Sequence, residues 1–111
     1  MSNHDKQILI KILKEIEIIT FLTNDINDCE NFINDEKTKR AVCMTLINIG
    51  ELVKSLSDEI KTEHKSIPWR AISGMRDIAA HKYQTIRMED VWTTITNDIP
   101  ILYKEISIII K

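Results

Sequence analysis

The chain has 111 residues, a net charge of −2, 43% hydrophobic and 29% charged residues, and only two Gly and two Pro. That length supports one domain spanning 1–111 and no more, and so few turn formers exclude an all-β fold with many hairpins. The acidic total does not advertise a nucleic-acid binder, and no apolar run approaches the length of a membrane span.

Residues 6 to 22 form the first predicted helix, with Ile8, Leu9, Ile12, Leu13, Ile16 and Ile19 recurring at intervals of three and four and Asn3 or Asp5 as its cap. The Asn/Asp cluster at Asn24, Asp25, Asn27 and Asp28 disfavours helix interior. Ile26, Phe32 and Ile33 then either prolong the helix or pack beneath a loop.

Asn34-Asp35-Glu36 places cap and acidic residues at the start of a second long helix, whose buried face runs Val42, Leu46, Ile49, Val53 and Leu56. Gly50 inside it fits a close approach by another backbone. Ser57 caps a short segment through His64. Pro68 then suits the first position of a helix running to about Lys82.

The last predicted helix begins near Met88 and buries Val91, Trp92, Ile95, Ile99 and Leu102, with Pro100 kinking it. Trp69 and Trp92 belong to the core or to an interface between copies. The tail Ile106-Ser107-Ile108-Ile109-Ile110 is apolar almost all round, which suggests a partner surface. Cys29 and Cys43 lack metal-ligand spacing, and two cysteines without a signal peptide fit reduced thiols and a cytoplasmic location. His4 and His64 show no ligand spacing either, so neither a metal site nor a cofactor is expected.

The chemistry concentrates in Arg76-Asp77-Ile78-Ala79-Ala80-His81-Lys82-Tyr83. Between Lys61 and Arg87 there are six basic and two acidic residues, so this segment is positive while the remainder of the chain is negative. Arginine keeps its charge and grips phosphate oxygens with a planar fork. Histidine exchanges its proton near neutral pH. Cleaving RNA requires removal of the 2′-OH proton, stabilisation of the charged phosphorane-like state and protonation of the leaving oxygen. His81 suits the proton transfers, Arg76 the charge, and Asp77, four before His81, can orient it.

On a regular helix Arg76 and His81 stand about 140° apart. Either the helix ends near His81 or the site is a cleft between protomers. With one motif histidine per chain, a two-fold dimer would bring a second His81 to the groove.

Taken in order, Leu46-Ile47-Asn48-Ile49-Gly50-Glu51, Leu56-Ser57, Ile67-Pro68-Trp69-Arg70, Met75-Arg76, Ala80-His81-Lys82-Tyr83, Val91-Trp92 and Asp98-Ile99-Pro100 resemble the HepT-type HEPN-domain toxins over roughly residues 5 to 105. The resemblance implies an all-α, four- to five-helix up-down HEPN bundle, homodimeric. It also implies a metal-independent endoribonuclease, the toxin of a toxin–antitoxin pair whose antitoxin is a minimal nucleotidyltransferase, MntA. The family pattern of Arg, four residues, His, any residue, Tyr falls on Arg76, His81 and Tyr83. By resemblance Arg76 and His81 are catalytic, and Tyr83 is the hydroxyl to which the antitoxin transfers AMP. AMP there would put negative charge and bulk where the RNA phosphate sits. Many relatives carry Asn where this chain has Asp77, which puts the rate in doubt. Glu51 resembles the Gly-Glu of the family and suits a salt bridge to Arg70 or Arg76. The rival expectation is a non-catalytic subunit that binds the nucleotidyltransferase or presents substrate to it. The RNA target and the stoichiometry, up to higher hetero-oligomers, stay open.

Overall fold

The computed structural model describes residues 1–77 and 85–111, the side chain of Arg76 excepted, and every regular element among them is helical. Helix α1 runs Asn3–Thr23, α2 Cys29–Ile33, α3 Glu36–Lys54, α4 Asp58–Glu63 and α5 Trp69–Ser73, followed by a 3₁₀ turn at Gly74–Arg76. After the undescribed segment come α6 (Met88–Thr93), a π turn (Thr94–Asp98) and α7 (Ile99–Ile109). This is the all-α bundle that the apolar periodicity predicts.

Helix α1 buries Ile8, Leu9, Ile12, Ile16 and Ile19 along one stripe, and α3 answers with Val42, Leu46, Ile49 and Val53. These two helices form the central packed pair, with α7 against α1, and α5 and the 3₁₀ turn against α3. Burying such branched side chains stabilises the fold by roughly 1.5–3 kcal/mol each before entropy is charged against it. Gly50 is buried on α3.

The first helix starts earlier than the pattern predicts. Ser2, not Asn3 or Asp5, is the cap, its hydroxyl accepting from the Asp5 amide at 3.1 Å. Asp5 is instead a buried acceptor, 3% exposed, that receives the Ser57 amide at 3.0 Å and the Ser57 hydroxyl at 2.5 Å. Ser57 in turn caps α4 as expected, its Oγ accepting from the Ile60 amide. One carboxylate thereby ties the start of the first helix to the start of the fourth.

Burial pushes the Asp5 carboxyl up, but the hydrogen bonds from Ser57 outweigh it and hold the group below its ordinary 3.8. A folded value below the unfolded one contributes stability above the unfolded pKa, and that stability is lost as pH falls through the folded value. Urea melts at pH 7 and at pH 3 are therefore expected to differ more for wild type than for Asp5→Asn; equal losses would mean that this carboxylate carries no acid sensitivity.

Residues 24 to 35 neither prolong α1 nor form a plain loop. Asp28 accepts from the Asn31 amide at 2.8 Å and starts α2, and the single turn and a half puts Phe32 wholly inside, its ring 5.4 Å from that of Trp92. Asp35 then caps α3 through the Thr38 amide.

Pro100 follows a widened turn rather than standing inside an unbroken α-helix. The amide of Ile99 bonds back to the Thr94 carbonyl, five residues before it, so the widened turn makes room for a ring that cannot donate and would crowd an ordinary turn. Thr93, Thr94 and Thr96 donate their hydroxyls to carbonyls four residues back over the same stretch. The apolar tail mostly folds back: Ile106 is fully buried, Ile109 and Ile110 pack against the core, and Ile108 remains 60% exposed. Cys29 and Cys43 are free thiols, and burial pushes Cys43 up. No described helix is long and apolar enough to cross a membrane.

Candidate active site

The segment leading to the motif is held by tryptophan and proline. Trp69 is 7% exposed and donates its indole N–H to the His64 carbonyl at 3.0 Å, closing the loop between α4 and α5. Pro68 stands at the cap position of α5, one residue before the helix that the sequence starts with it. Ile72, also buried, then fixes the other side of this short helix.

At Gly74 the helix tightens into the 3₁₀ turn that ends on Arg76, and the Asp77 amide closes it by donating to the Gly74 and Met75 carbonyls. The helix predicted from Pro68 thus tightens before the motif arginine, so ideal α-helical angles no longer relate Trp69 to Arg76, and its expected run on to Lys82 lies outside the described residues beyond Asp77. Asp77 is exposed. His81 and Tyr83 lie outside the described residues, as does any contact of Asp77 or Arg76 with them. The chain returns at Thr85, and Arg87 precedes α6, where Met88 anchors it in the core.

Both ends of the motif segment border one groove of about 370 Å³. Its floor is the buried Leu46, Ile72 and Val91; Gly74 and Met75 form one wall with Ile86 beyond the motif, and Asp90, Thr94 and Asp98 form the other. Sequence reasoning missed this second wall. The spacing of four and four in Asp90, Thr94 and Asp98 is visible in the chain, but only the π turn decides where Asp98 stands.

Gly74 has an ordinary helical φ of −66°, and a Cβ there would meet nothing within 4 Å. Neither backbone conformation nor packing among the described residues requires glycine, although it costs about 0.5–1 kcal/mol against alanine in a helical position. The Thr94 hydroxyl is spent on the Asp90 carbonyl at 3.0 Å. Arg87 Nε stands 4.0 Å from Asp90 Oδ2, with both side chains mostly in water, which is worth little. Asp98 is exposed and has no hydrogen-bond or ion-pair partner among the described residues.

Elsewhere, Glu51 lies with Lys11, Lys14 and Asn48 where α3 faces α1; its expected pairing with Arg76 falls outside the described side chains. Tyr103 donates to Glu17 at 2.9 Å, which pushes the phenol up and ties α7 to α1. On α7, Ile101 and Ile108 share a face seven residues apart, each 60% exposed.

Residues 12–109 match the family model described as Ribonuclease HepT-like. A protein of Thermococcus cleftensis named "Probable ribonuclease HepT" is 38% identical over 103 residues, 92% of either chain. Two more are each named "Putative RNase". The one from Methanocaldococcus jannaschii is 36% identical over 103 residues, 93% of this chain and 84% of the relative. The one from Caldanaerobacter subterraneus subsp. tengcongensis is 36% identical over 100 residues, 90% of this chain and 88% of the relative. No solved structure matches this chain significantly.

Proposed function

The chain belongs to the HepT-like ribonuclease family, and from that premise we propose that it is a metal-independent endoribonuclease, the toxin of a toxin–antitoxin pair. The observation that carries the reading is the family's Arg, four residues, His, any residue, Tyr pattern at Arg76, His81 and Tyr83, in a chain that leads Arg76 to the rim of an open groove. Arg76 stabilises the charge that develops on the phosphate, and His81 moves the proton. Asp77 orients His81. The 2′-OH attacks the adjacent phosphorus, the 5′-oxygen of the next nucleotide leaves and takes up a proton, and a 2′,3′-cyclic phosphate remains.

Two chains pair through the exposed row of Ile101 and Ile108; Ile101 lines a second pocket that shares Met75 and Asp98 with the motif groove, so pairing there sets two grooves side by side. The double change of Ile101→Glu and Ile108→Glu is expected to shift the mass in light scattering from dimer to monomer; an unchanged dimer would place the interface elsewhere. This replaces the tail as the surface to test, since cutting after Lys104 removes the buried Ile106 and damages the core. Regulation comes from an MntA-type nucleotidyltransferase that adds AMP to Tyr83, setting negative charge and bulk beside the motif against RNA.

The test is wild-type protein on total cellular RNA in EDTA, reading the chemistry of the new ends. Fragments with 2′,3′-cyclic phosphate or 3′-phosphate ends support the reading. No cleavage across a broad RNA set by folded, unmodified protein would favour a binding subunit of the nucleotidyltransferase.

A further inference from the structure

We propose that the groove between α5 with its 3₁₀ turn and α6 with its π turn is a nucleobase subsite selecting bases that carry an exocyclic amino group. The proposal rests on the ribonuclease reading above and adds to it where the RNA lies and which bases it favours.

Three features of the groove narrow its occupant. Gly74 is bare where nothing among the described residues requires glycine, so the wall next to Met75 is open to close approach on that side. The half-buried Met75 and Ile86 on the motif side, backed by the buried Leu46, Ile72 and Val91, offer apolar contact to the face of a flat ring. A thioether at a ring edge is a favourable contact of its own. The far wall offers carboxylate oxygens from Asp90 and Asp98, and Asp98 has none of its acceptor capacity used among the described residues.

Two carboxylates repel a phosphate, so the RNA backbone does not occupy this groove. They accept hydrogen bonds from N–H donors, as carboxylates do from cytosine N4. Cytosine, adenine and guanine each present an amino group; uracil offers one imino N–H between two carbonyl oxygens that face the same negative wall. The groove adjoins Gly74 and Met75 immediately before Arg76. The occupant proposed for the groove is therefore a base neighbouring the phosphate assigned to Arg76, the next residue in the chain.

The experiment has two arms. In the first, a random-sequence single-stranded RNA pool is cut by wild type and by the double variant carrying Asp90→Asn and Asp98→Asn, and the ends are sequenced. Wild type is expected to favour amino-bearing bases over uracil by about fivefold or more at one fixed position beside the cut, the lower end of what a good side-chain pairing to a base provides. The preference falls towards parity in the variant, and Gly74→Leu lowers cutting of all sequences. In the second arm, the Met75 methyl resonance of wild type is followed during titration with oligo(C) and oligo(U).

Cutting without base preference, or with a preference that survives both Asn changes, overturns the subsite and leaves the ribonuclease standing. A selective shift by oligo(C) with no cutting keeps the subsite and removes the ribonuclease. Met75 unmoved by either RNA but shifted by raising protein concentration makes the groove a protein interface and overturns the proposal.

Discussion

Arg76→Ala and His81→Ala are each expected to lower RNA cleavage by at least about a hundredfold, with His81→Ala reaching about ten-thousandfold, while circular dichroism and the dimer mass stay as in wild type. General acid–base catalysis by a positioned side chain contributes about 10²–10⁴. Losing one preorganised stabiliser of developing charge costs about 10²–10³. Arg76→Lys keeps the charge but not the two parallel donors of the fork, so its rate should fall between wild type and alanine. Cleavage surviving both alanine changes would detach activity from the motif and favour the binding-subunit reading. Asp77→Asn separates two uses of that exposed side chain. A rise in rate would mean that its charge opposes RNA; a fall would mean that it supports His81.

The two long helices were legible because each buries a full apolar stripe, Ile8 to Ile19 and Val42 to Val53, and periodicity reads such stripes directly. Ser57 and Asp35 were legible as caps because capping is local. Asp5 was not: its role is set by Ser57, distant in sequence and adjacent only after folding. The helix expected from Pro68 to Lys82 illustrates the same limit at short range. Its register depends on how Trp69 and Ile72 seat against α3 and on the tightening at Gly74, which no helical pattern announces. The motif itself was readable only as a pattern of residue types. The residues of the groove's second wall carry an ordinary polar spacing, and the π turn that sets Asp98 beside Asp90 and Thr94 is not announced by it.

Phe32→Ala is expected to be the most damaging single core change, costing about 3–5 kcal/mol and lowering the melting temperature by roughly 12–20 °C at about 4 °C per kcal/mol for a chain of this size. Phe32 is fully buried although it lies on a helix of only five residues, which has almost no cooperative stability of its own. Its ring rests against Trp92 at 5.4 Å in a tilted arrangement, a geometry worth something beyond area alone. Truncation thus removes the anchor of α2 and one face of the support for α6, the helix that carries Asp90 and Val91 into the groove. A domain of this kind holds about 5–15 kcal/mol in all, so this one change removes a large share of the total. Phe32→Leu, which keeps most of the apolar volume, should recover more than half of the loss. A melting temperature within about 4 °C of wild type for Phe32→Ala, equivalent to about 1 kcal/mol, would mean that α2 is not packed against α6 in solution. The wall bearing Asp90 would then lack the support on which the groove's shape depends.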